Sequence, residues 1–155
     1  MYKNILVPTD GSELSNQAIE YAAALAKAVN SKLTVLTVTT PIYASIWGSS
    51  FVPATKMEEY EQEVTKLAEQ YLGVAKEAAA AAKVHCKVIR VEGVYPHQAI
   101  IEVAKEQGCD LIVMASHGRR GIAAIVLGSE TMKVLTHSTI PVLVVRPKAC
   151  SLPQS

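Results

Sequence analysis

The sequence predicts an α/β protein: a doubly wound, open, parallel five-stranded sheet in the order 3-2-1-4-5, with helices on both faces. Three observations predict it. Short apolar runs rich in β-branched residues alternate with stretches whose apolar residues recur every three or four positions, the rhythm of βαβ units. The runs are apolar residue after residue, as in strands covered on both faces. The ends of the first and fourth runs carry small polar residues and glycines suited to one shared ligand, which requires those two strands to be neighbours.

The first strand is read at Asn4-Ile5-Leu6-Val7 and stops at Pro8-Thr9-Asp10-Gly11-Ser12. Ser12 is the expected N-cap of the next helix, with Glu13 in its first turn. Leu14, Ala18, Tyr21, Ala22, Leu25 and Val29 then recur at helical spacing, and Asn30 suits the left-handed position that closes a helix. Leu33 to Val38 is the second strand. Pro41 to Thr55 reads as a long loop. Met57, Tyr60, Val64, Leu67, Tyr71, Val74 and Ala78 mark one face of a long helix, in which Gly73 costs about 1 kcal/mol relative to alanine.

The third strand is expected over about Cys86 to Val91. Pro96 fits the first turn of the helix that follows, with Ile100, Val103 and Ala104 on its buried face and Gly108 as its stop. Asp110 to Ala115 is the fourth strand. A glycine-containing loop leads to a helix starting near Gly128-Ser129, and Ile140 to Val145 is the last strand. Residues 1–147 read as one domain without repeats, and 148–155 as a loose tail.

Composition narrows the function. The 155 residues can enclose one continuous core, and a chain that is 50% hydrophobic is not a disordered one. Fifteen basic against 14 acidic residues offer no basic face for nucleic acid. No stretch reaches the roughly 20 apolar residues of a membrane span. The apolar run after Met1-Tyr2-Lys3-Asn4 is too short for a secretion signal. Cys86, Cys109 and Cys150 are scattered without a CxxC pair, which fits reduced thiols and a cytoplasmic location.

The candidate site joins two strand ends. One supplies Pro8, Thr9 and Asp10; the other supplies Met114-Ala115-Ser116-His117-Gly118, then nine residues, then Gly128-Ser129-Glu130. Gly118 and Gly128 allow close backbone approach to an anion. Ser129 adds a hydroxyl at a helix start, where unpaired N–H groups and the positive end of the dipole favour phosphate. Arg119 and Arg120 lie in the connecting loop and can meet outer phosphates. Each element also has a plain structural role: glycines serve turns, Asp10 can cap a helix, His117 can be a packing residue, the arginines can be a solvated pair, and the cysteines can be small apolar side chains.

The chain resembles the universal stress protein family from Tyr2 to Arg146. The resemblance rests on Ile5-Leu6-Val7-Pro8-Thr9-Asp10-Gly11-Ser12, on Asp110 to Gly118, and on Leu127-Gly128-Ser129 leading to Pro141-Val142-Leu143-Val144-Val145. It implies a fold like the adenine nucleotide alpha hydrolases and a stress-response role. It implies ATP, with Mg²⁺ as its companion ion, held with adenine and ribose near Asp10 and Val38 and phosphates on Gly118, Gly128 and Ser129. The family's nucleotide-binding branch is similar to Gly-x2-Gly-x9-Gly-Ser/Thr. Ala115 stands where that pattern has its first glycine, and its methyl matters only if the residue needs positive φ or touches phosphate.

The chain lacks a GxxxxGK[ST] loop, a base paired with a water site and a Ser-Gly-Gly-type pyrophosphate loop, so a binding module is expected rather than an enzyme. Two alternatives stand beside it. One is an interaction protein with a vestigial pocket, favoured by Ala115 and by the negative charge of Glu130. The other is a slow ATPase or a binder of another adenine nucleotide, such as a cyclic one. A homodimer is expected through Ile140 to Val145, because Pro141 suits a sheet edge while Val142-Leu143-Val144-Val145 is too apolar to face water unpaired.

Overall fold

In the computed structural model, which describes residues 1–45, 51–118 and 127–147, five strands form one parallel sheet. They are β1 (Asn4–Pro8), β2 (Lys32–Thr39), β3 (Cys86–Glu92), β4 (Leu111–Ala115) and β5 (Val142–Val145), in the order β3-β2-β1-β4-β5. The helices are α1 (Glu13–Val29), α2 (Ile42–Ser45), α3 (Ala54–Ala82), α4 (Pro96–Glu106) and α5 (Ser129–His137). The expected strand order is the observed one.

Successive strand residues point to opposite faces, and both faces are covered. Ile5, Val7, Leu33, Val35, Leu111 and Val113 pack under α1 and α3. Leu6, Leu36, Ile112 and Met114 pack under α4 and α5. Each fully buried side chain of this size contributes about 1.5–3 kcal/mol, so a polar residue on either face would be costly. That is why the strands read as continuous apolar runs.

Local signals set the helix ends. Ser12 Oγ accepts the Ser15 N–H at 3.2 Å and starts α1, while Asn30 closes it at φ 55°. Pro96 opens α4, and Gly108 takes φ 63° just beyond its end. Lys83, rather than a glycine, takes the left-handed position after α3, at φ 58°.

Several expectations are corrected. Tyr21 is 51% exposed, because the buried face of α1 runs through Ala18, Ala22 and Ala26 together with Ile19 and Ala23. Met57, Leu67 and Val74 of α3 are likewise exposed, and the contact is made by Ala68, Leu72, Ala75 and Ala79. Where two helices press on one sheet, small side chains permit close approach, so bulk is a poor guide to the inner face. The stretch expected as a loop contains α2, and α3 already begins at Ala54.

The last strand starts at Val142: Pro141 has no N–H, and only its carbonyl joins the ladder, accepting the Ile112 N–H at 2.9 Å. Asp110 lies before β4, where its carboxylate accepts the Lys3 and Asn4 N–H groups and fastens the start of β1. Cys109 is buried and Cys86 half-buried, and burial pushes both thiols above their ordinary range, keeping them protonated. Cys150 and the tail lie outside the described residues. Among the described residues no helix is long and apolar enough to cross a membrane.

Gly73 sits within α3, and a Cβ there would meet nothing within 4 Å. Gly73→Ala should therefore raise stability by about 0.5–1 kcal/mol. Urea denaturation measures it; an unchanged or lower midpoint would contradict the open environment found here.

Candidate functional site

A cleft of about 610 Å³ opens beyond the carboxyl ends of β1, β2 and β4, where the strand order reverses direction. Pro8, Thr9 and Asp10 line it from the end of β1 and Val38 from β2. Met114, Ala115, His117 and Gly118 line it from the end of β4, and Gly128, Ser129 and Glu130 from the start of α5. The structure thus brings these eleven candidates together. Ser116 is the exception: at 3% exposed it lies beneath the surface, its amide bonded to the Val145 carbonyl and its hydroxyl 3.2 Å from His117 Nδ1. Arg119 and Arg120 lie outside the described residues.

The β1 end is a tightly bonded turn. The Thr9 hydroxyl lies 3.1 Å from Ser15 Oγ and accepts the Gly11 N–H at 3.2 Å, and the Thr9 carbonyl accepts the Thr37 hydroxyl at 3.0 Å. Thr9 therefore shapes the turn. Asp10 Oδ1 accepts the Ser12 N–H at 3.0 Å, and Oδ2 packs so closely on Gly118 that a Cβ there would collide with it. The carboxylate thus caps the turn and also faces the cleft. Gly11 adopts φ 76° and lies against the Tyr71 ring of α3, leaving no room for a side chain.

The β4 end meets α5 at equally short range. The Gly128 N–H donates to the Ser116 carbonyl at 2.6 Å, and the Thr131 hydroxyl donates to the Ala115 carbonyl at 2.8 Å. A Cβ on Gly128 would come within 3.0 Å of His117 Cα and 3.2 Å of the Ser116 carbonyl. The role of Gly128 is thus steric, and its amide is already used. The amides of Ser129, Glu130 and Thr131 are the ones a helix start leaves without intrahelical partners, and Gly128 as N-cap supplies no side-chain cap. Ala115 is a strand residue paired with Val145, and it is not among the described residues with positive φ. Its methyl packs with the cluster under α1 and α3. The replaced glycine does not disturb the backbone.

Glu130 turns toward α4. Its Oε2 accepts the His97 N–H at 2.8 Å and lies 3.2 Å from His97 Nδ1, while Oε1 accepts from Lys133 Nζ at 3.2 Å. Burial pushes the carboxyl up, but the bonds from Lys133 and His97 outweigh it and hold it below its ordinary value. The negative charge expected to oppose phosphate is therefore partly compensated.

Ser15, Leu36, Thr40, Pro96, Ile100 and Thr131 also line the cleft and were missed by the sequence reading. Leu36 shares its strand face with Val38, and Ile100 lies one helical turn from Pro96, so the period of each element carried the signal. Leu36, Val38, Pro96, Ile100 and Met114 give the cleft an apolar part beside the polar helix start, an arrangement that suits a flat ring carrying an anionic group. Among the described residues, no three of His, Cys, Asp and Glu come together as a metal-holding group.

Gly128→Ala should cost about 1–3 kcal/mol of stability, because the added methyl would press on the backbone of Ser116 and His117, which must shift to admit it. Thermal or urea denaturation tests this, and a variant as stable as the parent would show that the β4–α5 contact is looser than described.

Comparison with known proteins agrees with the fold. The model of the Universal stress protein family matches residues 1–146. Universal stress protein YxiE of Bacillus subtilis is 38% identical over 152 residues, covering 94% of this chain and all of that protein. Universal stress protein MJ0577 of Methanocaldococcus jannaschii is 32% identical over 159 residues, covering 96% of this chain and 97% of its own length. The solved structure of MJ0577 superposes with a TM-score of 0.79, covering 96% of this chain and 98% of that one. A universal stress protein solved in complex with cAMP is 31% identical, with a TM-score of 0.69 over 93% of this chain and 97% of that one. The chain belongs to the universal stress protein family.

Proposed function

We propose that this universal stress protein binds ATP in the cleft and serves as a regulatory, stress-response binding module. The observation that carries the reading is the start of α5: an N-terminus without a side-chain cap, held against the end of β4 and facing Asp10 across an apolar-walled cleft at the switch point. Ser129 and its neighbouring amides take the phosphates, with Gly118 and Gly128 keeping the approach clear. Asp10 takes a ribose hydroxyl, and the base lies along Val38 and its apolar neighbours. Mg²⁺ enters with the nucleotide. The complex of a 31% identical relative with cAMP supports an adenine nucleotide as the ligand class. Scattered thiols fit a reducing compartment, and the reading places the protein in the cytoplasm.

Binding should fall between low micromolar and millimolar, roughly −8 to −4 kcal/mol. Calorimetry with ATP and Mg²⁺ measures it, and Asp10→Ala and Gly118→Val should each weaken it at least about tenfold, a loss of roughly 1.4 kcal/mol, with the fold retained by circular dichroism. No heat and no thermal shift at millimolar nucleotide would overturn the reading. Turnover should stay far below about 1 per second, because among the described residues that line the cleft no lysine or paired base stabilises developing charge. Phosphate release at that rate, lost in Gly118→Val, would make the protein an ATPase instead.

A second copy of the chain completes the proposed assembly. β5 lies at the sheet edge, and a groove of about 640 Å³ beside it is lined by Gln17, Glu20 and Tyr21 of α1 and by Leu143 to Arg146. An apolar edge next to an exposed tyrosine supports antiparallel pairing of β5 with its own copy. Light scattering at micromolar concentration should give the mass of two chains and Val144→Lys the mass of one; a parent protein of one-chain mass contradicts the dimer.

A further inference from the structure

We propose that Glu130 and His97 form a proton-linked clasp that sets how tightly the cleft holds the phosphates of its nucleotide. The inference rests on the nucleotide reading above and adds its regulation. Two helices begin at the rim of the cleft, and neither has a side-chain cap of its own: Tyr95 precedes α4 and Gly128 precedes α5. Glu130, in the first turn of α5, caps α4 from outside by accepting the His97 N–H at 2.8 Å. One carboxylate therefore ties together both helix starts.

That bond holds a formal negative charge on the first turn of α5, in the lining of the cleft that the phosphates would enter, and like charges repel. What the phosphates feel depends on the partners of Glu130. Lys133 reaches Oε1 at 3.2 Å, but it is half-exposed and screened by water. The His97 ring reaches Oε2 at 3.2 Å with only 13% of its side chain exposed. A neutral ring offers a hydrogen bond alone; a protonated ring cancels the charge where screening is weak. Imidazole is the side chain whose charge changes between pH 5 and 8.

The other groups around His97 set the limits. The Tyr95 ring meets it edge-on at 6.3 Å, and the His137 ring, in the last turn of α5, lies 6.1 Å away. The Lys133 ammonium shares the Glu130 carboxylate with the His97 ring. His117 lines the cleft itself and is left unchanged in the variants that test the clasp. The coupling is reciprocal: protonation tightens phosphate binding, and bound phosphate favours protonation.

ATP binding with Mg²⁺ is measured by calorimetry at pH 6, 7 and 8 for the parent chain, His97→Gln and Glu130→Gln. Any pH dependence of the nucleotide and of the rest of the cleft is common to all three and cancels. The parent should gain about fivefold more affinity from pH 8 to pH 6 than His97→Gln does. Glu130→Gln, which keeps an oxygen to accept the His97 N–H, should bind about fivefold tighter than the parent at pH 8 and show the shallow profile. A merely structural role predicts the opposite, weaker binding in both variants at every pH. Parallel profiles in all three proteins, or weaker binding by Glu130→Gln throughout, overturn the clasp. If Glu130→Gln does not fold, His97→Gln decides alone. Absence of binding by the parent at every pH overturns the nucleotide reading itself, which separates the two failures.

Discussion

The hydrogen bond from the Gly128 N–H to the Ser116 carbonyl, 2.6 Å long, is the contact on which the rest of the site depends. It brings Gly128, the residue before α5, against the backbone just after β4, so close that a Cβ at position 128 would lie 3.0 Å from His117 Cα. The Thr131 hydroxyl repeats the tie one strand residue earlier, at the Ala115 carbonyl. Between them they fix the axis of α5 so that its first free amides face the space above β1 and β4. A helix end aimed in this way gives the proposed nucleotide site backbone donors and a positive dipole that favour an anion without any charged side chain.

The sheet decides where that site falls. From β1 the chain runs to α1 on one face, and from β4 it runs to α5 on the other, so the two connections part and leave a gap between them. The core beneath is continuous and closely packed on both faces, which holds the two strand ends at constant separation. The turn after β1 gains further rigidity from below, where the Tyr71 ring of α3 lies against Gly11. Asp10 is thereby held across the gap from the helix start, close against Gly118. A long helix with much of its surface exposed thus has a defined part in the site.

What could be read from the sequence was what depends on local or periodic signals. Strand order followed from continuous apolar runs and from the need to unite two strand ends, and Ser12, Asn30 and Pro96 marked helix ends through chemistry contained in single residues. The faces of α1 and α3 were misjudged because their contacts are made by alanines, whose small size matters only once a neighbouring helix is in place. Ser116 was expected in the cleft, but the parity of the strand end turns it inward. Glu130 was read as a charge opposing phosphate. Its partner His97 lies 33 residues away on another helix, and nothing in the order of residues announces that bond. Ala115 departs from a familiar pattern at a residue whose backbone is ordinary strand, so the departure adds no backbone strain.

The account makes backbone amides, rather than charged side chains, the centre of the site, and amide resonances report on them individually. Titrating ATP into the isotope-labelled protein and following nitrogen–proton correlation spectra tests that claim most directly. The account predicts saturable shifts concentrated at Ser129, Glu130, Thr131, Asp10 and Gly118, with the Gly128 amide held to Ser116 throughout and the groove beside β5 unmoved. Saturable binding that leaves the start of α5 unshifted, or that moves the Tyr21 and Val144 groove instead, would contradict it.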